Sequence, residues 1–237
     1  MNREYHKWHS ACLAREMELL VFGHSGRPVL VFPTSMGRFW DFEDRGMIAA
    51  LAPAIEAGAL QAFCLDSVDA ESWYATRSAP RSRVMRHEQY EAYVIEEAIP
   101  FARQRSTALR VSVAGCSFGG YHAINFALRH PEYVDLALSM GGAFDIRQFL
   151  DGYFDEICHR NCPPDFVPGL ERERLDQCHD HVSLILATGE ADICLGENVC
   201  LSRILHERGV RHELDIQGSG AAHDWPWWQQ MARKYLP

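Results

Sequence analysis

Four side chains stand out for the chemistry they could do together: Ser117 inside Gly115-Cys116-Ser117-Phe118-Gly119, the acids Glu190 and Asp192, and the late histidine His223. A serine hydroxyl is a weak nucleophile until a histidine takes its proton, and that histidine needs a carboxylate to hold its tautomer. The chain order serine, acid, histidine is one of those in which such relays occur. The chemistry expected is attack on an ester or thioester carbonyl through a covalent acyl intermediate.

A G-x-S-x-G match alone would arise by chance in roughly one chain in ten of this length. Its context is more informative than its letters. The apolar run Val111 to Ala114 leads straight into the motif and a helical pattern, Phe118 to Arg129, follows, which gives the strand-turn-helix setting a nucleophile elbow requires. The flanking glycines keep side chains out of a crowded turn, and the Phe118 N–H at the start of the helix is aimed where a carbonyl oxygen gains charge. The competing reading is an inert glycine-rich turn that binds phosphate. It has little support, because the chain carries neither a G-x-x-x-x-G-K-[ST] run nor dinucleotide spacing at this turn.

The strand-like run VSLILA, 182–187, ends in Thr188-Gly189-Glu190-Ala191-Asp192, so two acids lie where a strand hands over to a loop. Asp192 is the expected triad acid and Glu190 the alternative. Of twelve histidines, His223 comes last, after the strand-like HELDI and after Gly218-Ser219-Gly220, which reads as a flexible loop able to deliver an imidazole. The second oxyanion N–H is expected from Pro33-Thr34-Ser35-Met36-Gly37, with Ser35 and Met36 both open.

Those residues need a frame. Short apolar, β-branched runs alternate with longer amphipathic stretches, the pattern of a mostly parallel sheet with helices on both faces. The start of the chain to about Gly23 reads as two antiparallel strands, and strands follow at 28–32, 62–65, 111–114, 136–140, 182–187 and 212–216. Helices are expected over 39–57, 84–105, 118–129, 198–208 and 225–235. The polar, proline-bearing and aromatic stretch 146–181 is too long for a simple connection and is expected to form a small cap. The whole chain, 1–237, reads as one domain.

Composition narrows the function classes. With 47% apolar residues the chain can bury a large core, and a formal charge of −9 disfavours nucleic acid as a partner. No run approaches the roughly 18 apolar residues that span a bilayer, and the first residues lack an apolar export segment, so no membrane partner and a cytoplasmic location are expected. Eight irregularly spaced cysteines then read as reduced thiols, with Cys64, Cys116 and Cys194 as compact core residues. No cofactor is called for, and a homo-oligomer is compatible with this composition.

Two other constellations compete for attention. Cys158-His159, Cys162, Cys178-His179 and His181 could in principle build a zinc site, but their spacing lacks paired C-x-x-C regularity, and no metal is expected. Arg77, Arg81, Arg83 and Arg86 could steer an acidic substrate, although a solvated face is the simpler reading.

Taken together, GCSFGGYHA at 115–123, LSMGGAFDI at 138–146, LATGEADICLGEN at 186–198 and AHDWPWW at 222–228 resemble the putative-esterase (esterase D-like) family, which includes S-formylglutathione hydrolases, feruloyl esterases and mycolyltransferases. The likeness covers most of the chain. It implies an α/β-hydrolase fold and a serine esterase with the triad Ser117, Asp192 and His223, acting on a small-molecule ester or thioester. It further implies that Trp225 and, in the loop DSVDAESWY, Trp73 lie near the substrate. The alternatives are an acyltransferase of the same fold and a catalytically silent binding or scaffold protein.

Overall fold

In the computed structural model, which describes residues 1–236, the chain builds an eight-stranded sheet. The strands are β1 (Arg3–Ser10), β2 (Arg15–Phe22), β3 (Arg27–Phe32), β4 (Leu60–Leu65), β5 (Val111–Cys116), β6 (Val134–Met140), β7 (Ser183–Ala191) and β8 (His212–Ala222). Their spatial order is β1-β2-β4-β3-β5-β6-β7-β8; β2 pairs antiparallel with β1 and β4, and every other pairing is parallel. This is an α/β-hydrolase fold. The edge strand β1 alternates exposed and half-buried residues, whereas β4 and β5 are buried throughout, as strands covered on both faces must be.

Among the described residues ten α-helices accompany the sheet: α1 (Asp41–Asp44), α2 (Met47–Glu56), α3 (Pro80–Tyr93), α4 (Ile99–Arg103), α5 (Phe118–Arg129), α6 (Glu156–His159), α7 (Pro163–Phe166), α8 (Arg172–His181), α9 (Leu195–Glu207) and α10 (Trp225–Tyr235). Strand alternation sorts the core into two clusters. Val111 and Val113 of β5 and Leu184 and Leu186 of β7 belong to one; Ala114, Cys116, Ile185 and Ala187 belong to the other, with Trp228 and Met231 of α10. No helix among the described residues is long and apolar enough to cross a membrane.

Local differences from the sequence pattern have local causes. The stretch expected as one helix over 39–57 is broken at Arg45-Gly46, where Gly46 takes a left-handed φ of 72°. The next helix starts at Pro80, earlier than its apolar stripe, because proline suits a first turn that has no N–H to satisfy. Its ladder then widens into a π turn over Val94–Ala98, just ahead of Pro100. Both β7 and β8 run longer than expected. Gly218, Ser219 and Gly220, expected as a loop, therefore lie within β8 as a bulge between the β7 pairings of Gln217 and Ala222, with Ser219 and Gly220 at positive φ and the Gly220 N–H donating to Glu190 Oε1 at 2.5 Å.

Residues 146–181 carry α6, α7 and α8, with one short 3-10 turn before α6 and another between α7 and α8. Cys158, Cys162, Phe166, Leu175 and Cys178 are buried there and join the core cluster that contains Phe118. Helix α8 runs directly into β7. Arg83 ties this segment to the loop before α3: its guanidinium, 2% exposed, donates to the carbonyls of Ala75, Thr76, Ser78 and Phe149.

Candidate active site

Ser117 lies between the last residue of β5 and the first of α5, with φ 54° and ψ −122°, a backbone that a β-carbon disfavours. Its N–H donates to the Met140 carbonyl of the neighbouring strand at 2.9 Å. The turn is this sharp because two glycines let backbone pass backbone: a β-carbon on Gly115 would stand 2.2 Å from the Gly119 carbonyl carbon. The result lifts the Ser117 side chain, half-buried, off the carboxyl end of the sheet.

His223 follows the last residue of β8, and Asp224 caps α10 directly after it by accepting the Trp225 N–H at 2.7 Å. The ring is therefore set between a strand end and a capped helix. Its Nε2 is 2.9 Å from Ser117 Oγ, and its Nδ1 is 2.8 Å from Asp192 Oδ1. An ionised carboxylate can only accept, so Nδ1 carries the hydrogen and Nε2 offers its lone pair to the serine hydroxyl. The edge of the ring meets Trp228 with centroids 4.8 Å apart.

Asp192 leaves β7 on a tight turn in which its N–H bonds the Gly189 carbonyl at 3.1 Å. Its side chain is fully buried and also accepts the Cys194 N–H at 2.7 Å. Glu190 is exposed and bonds the Gly220 N–H, not His223. Three side chains separated by 106 and 31 positions in the chain thus form one hydrogen-bonded relay.

Around the serine, Phe118 presents its N–H from the first turn of α5. In the loop after β3, Thr34 N–H and Oγ1 both donate to Asp41 Oδ2, at 3.0 and 2.8 Å, and the Gly37 N–H donates to the Thr34 carbonyl at 2.8 Å. Of the two candidates from the sequence, Met36 is not available as an oxyanion donor: its N–H donates to Asp69 Oδ2 at 3.1 Å. The Ser35 N–H is the one in this turn without a protein acceptor among the described residues.

Trp73, expected near the substrate, lies in the core. It is fully buried, edge-on to Phe118 and Tyr121 at 6.4 and 6.0 Å and 6.1 Å from Phe149. Its half-buried neighbour Tyr74 packs against two of the same rings, Phe118 at 6.0 Å and Phe149 at 4.9 Å. Nothing in DSVDAESWY separates the two aromatics except which side of the loop each occupies. Trp225 is half-buried and packs edge-on to Phe42 at 5.8 Å and Trp228 at 5.2 Å.

The competing constellations resolve differently. Arg81 pairs with Asp155 at 2.6 Å, Arg86 with Glu71 at 2.5 Å, and Arg83 is buried, which leaves the exposed Arg77 as the member of the set without an ion pair among the described residues. The cysteines and histidines of 146–181 do not gather. Among the described residues the one group of His, Cys and carboxylate atoms within 4.8 Å of one another is Asp192, Cys194 and His223. Cys194 has a second acid nearby in Glu197; burial first, then both charges, push its thiol up to about 12.

Comparisons with known proteins bear on the family and the fold. Residues 41–234 match the family described as "Putative esterase". A search of curated proteins finds no match. Among solved structures, a ferulic acid esterase superposes with a TM-score of 0.80 at 15% identity, covering 100% of this chain and 96% of that one. An S-formylglutathione hydrolase from Agrobacterium tumefaciens gives 0.77 at 17% identity over 99% and 92%. A ferulic acid esterase from Anaeromyces mucronatus gives 0.75 at 12% identity over 99% and 89%.

Proposed function

The chain belongs to the putative-esterase family and is a carboxylic ester hydrolase, and we propose that it works through an acyl-enzyme on Ser117 with His223 and Asp192 as base and orienting acid. The observation that carries this reading is the continuous relay, 2.8 Å from Asp192 to His223 and 2.9 Å from His223 to Ser117. As Ser117 Oγ attacks the carbonyl carbon, its proton passes to His223 Nε2. The imidazolium that forms keeps Nδ1–H on Asp192, whose buried charge favours it. The carbonyl oxygen becomes an oxyanion between the N–H groups of Phe118 and Ser35.

Collapse of that intermediate expels the alcohol or thiol, protonated by His223, and leaves the acyl group on Ser117. Water, deprotonated by the same imidazole, then attacks the acyl carbon, and the acid is released with Ser117 restored. Both ester and thioester substrates fit this scheme. A ferulic acid esterase and an S-formylglutathione hydrolase among the structural neighbours motivate testing the two side by side. We read 1–237 as one domain with 146–181 as its cap, and the unpaired thiols as fitting a cytoplasmic enzyme.

The test is a fluorophosphonate probe with intact-mass and peptide mapping, alongside p-nitrophenyl acetate and an acyl thioester. One adduct at Ser117, lost in S117A together with turnover, is expected. A folded, unlabelled protein would instead mark a silent binding module. Products trapped on an added alcohol or thiol in preference to water would mark an acyltransferase.

A further inference from the structure

The two N–H groups assigned to the oxyanion sit on different elements, Phe118 on α5 and Ser35 on the loop after β3, and one buried carboxylate touches both elements. Asp69 is 1% exposed. Its Oδ2 accepts the Met36 N–H at 3.1 Å, and its Oδ1 lies 3.3 Å from His122 Nε2, which must carry the hydrogen because a carboxylate only accepts. His122 is on the same helix as Phe118, and its ring stands edge-on to Phe118 at 4.9 Å and stacks on Phe32 at 5.7 Å.

Met36 is held with φ 58°, a left-handed backbone that a side chain resists, so something must keep it there. The Asp69 bond does. With the Thr34 N–H drawn to Asp41 on one side and the Met36 N–H drawn to Asp69 on the other, the Ser35 peptide is clamped between two anchored neighbours. Asp69 is itself anchored: its carbonyl accepts the N–H groups of Ser72 and Tyr74 at 3.2 and 2.9 Å, and Ser67 Oγ beside it donates to the Gly37 carbonyl at 3.0 Å.

We propose that Asp69, braced by His122, is a positioning residue that sets the Ser35 N–H at its working distance from the Phe118 N–H. The inference rests on the hydrolase reading of Ser117. Asp69 touches neither Ser117 nor the acyl group; it acts through the Met36 peptide. Loosening that peptide weakens an interaction made with the oxyanion and not with the ground-state ester, so kcat suffers while KM does not.

The experiment measures kcat and KM on p-nitrophenyl acetate and Ki for an aryl trifluoromethyl ketone, whose hemiketal oxygen occupies the oxyanion position. D69A is expected to lower kcat by about 10- to 100-fold, less than outright removal of a donor, and to raise Ki by a similar factor with KM little changed. H122F should follow D69A, whereas H122Q, which retains a donor, should stay close to the parent enzyme. Wild-type kcat and Ki in D69A would overturn the proposal, as would a kcat loss with Ki unmoved. D69N carries the same test at near-native shape should D69A not fold, with a smaller loss expected. Amide exchange over residues 33–37 needs no activity: faster exchange in the variant supports the clamp, and unchanged exchange overturns it. A parent enzyme that neither turns over the ester nor binds the ketone would count against the hydrolase reading, while the exchange result still judges the clamp.

Discussion

Gly119 passes so close to Phe32 that a β-carbon on Gly119 would stand 2.4 Å from the Phe32 carbonyl oxygen. The nucleophile helix is thereby pressed onto the end of β3, the strand from which the oxyanion loop departs. The two halves of the site are built at one backbone crossing.

G119A should therefore force that crossing apart, since the clash is with main chain that cannot rotate away. A loss of about 1–3 kcal/mol in stability is expected from such overpacking, with a fall in kcat beyond it because both oxyanion donors move. Thermal unfolding together with steady-state kinetics reads both. Parent-like Tm and kcat would show that the crossing tolerates a methyl group.

The choice between the two acids is open to direct measurement. D192N leaves the imidazole without its acceptor-only partner and should cost about 10³- to 10⁴-fold in kcat. E190Q loses only a charge on an exposed strand end that holds Gly220, and less than a tenfold change is expected. The reverse ranking would transfer the triad role to Glu190.

Arg83 is structural, not a substrate anchor. Its guanidinium satisfies carbonyls at 75, 76, 78 and 149 and pairs with Asp151 at 2.8 Å. R83M leaves those carbonyls without their shared donor and should destabilise the protein by about 1–3 kcal/mol in denaturant titration. The ratio of kcat/KM for a carboxylate-bearing ester to that for a neutral ester should not change; a selective loss on the acidic ester would restore a binding role.

Glu97 gives the amino-terminal hairpin a pH dependence of definite sign. Burial, the largest single influence, pushes its carboxyl up, but the Cys12 N–H, the Trp8 indole and the Ser10 hydroxyl together hold it below the usual range. A depressed carboxyl contributes stability that is complete above the unfolded value and is lost as pH falls through the folded one. The stability difference between the parent and E97Q should be constant above about pH 5 and shrink below about pH 4. A difference that persists undiminished to pH 3 would remove Glu97 from this role.

Much of the frame was legible in the sequence because its signals are local. Helix α5 falls where the pattern put it, Phe118–Arg129, and α10 likewise at Trp225–Tyr235, each bounded by residues that act within a turn. The misjudged boundaries share a different cause. The glycines at 218 and 220 carry loop chemistry by type, and only the β7 pairings of Gln217 and Ala222 on either side hold that stretch as a bulge within β8. Trp73 and Tyr74 are adjacent aromatics that both pack against Phe118 and Phe149, and only the fold buries the first fully and leaves the second half-buried.

The amino-acid order by itself determined the elbow around Ser117, the acids available to it and the last of the twelve histidines, because steric turn chemistry and chain order act over a few residues. Tertiary structure alone decided between alternatives of equal local merit. Glu190 and Asp192 are two residues apart, and the turn that ends β7 buries one and exposes the other. Ser35 and Met36 are adjacent, and it is Asp69, from another loop, that occupies the second and leaves the first. Hydrogen-bond partners brought together from distant segments are a property of the folded chain, and no local pattern can encode them.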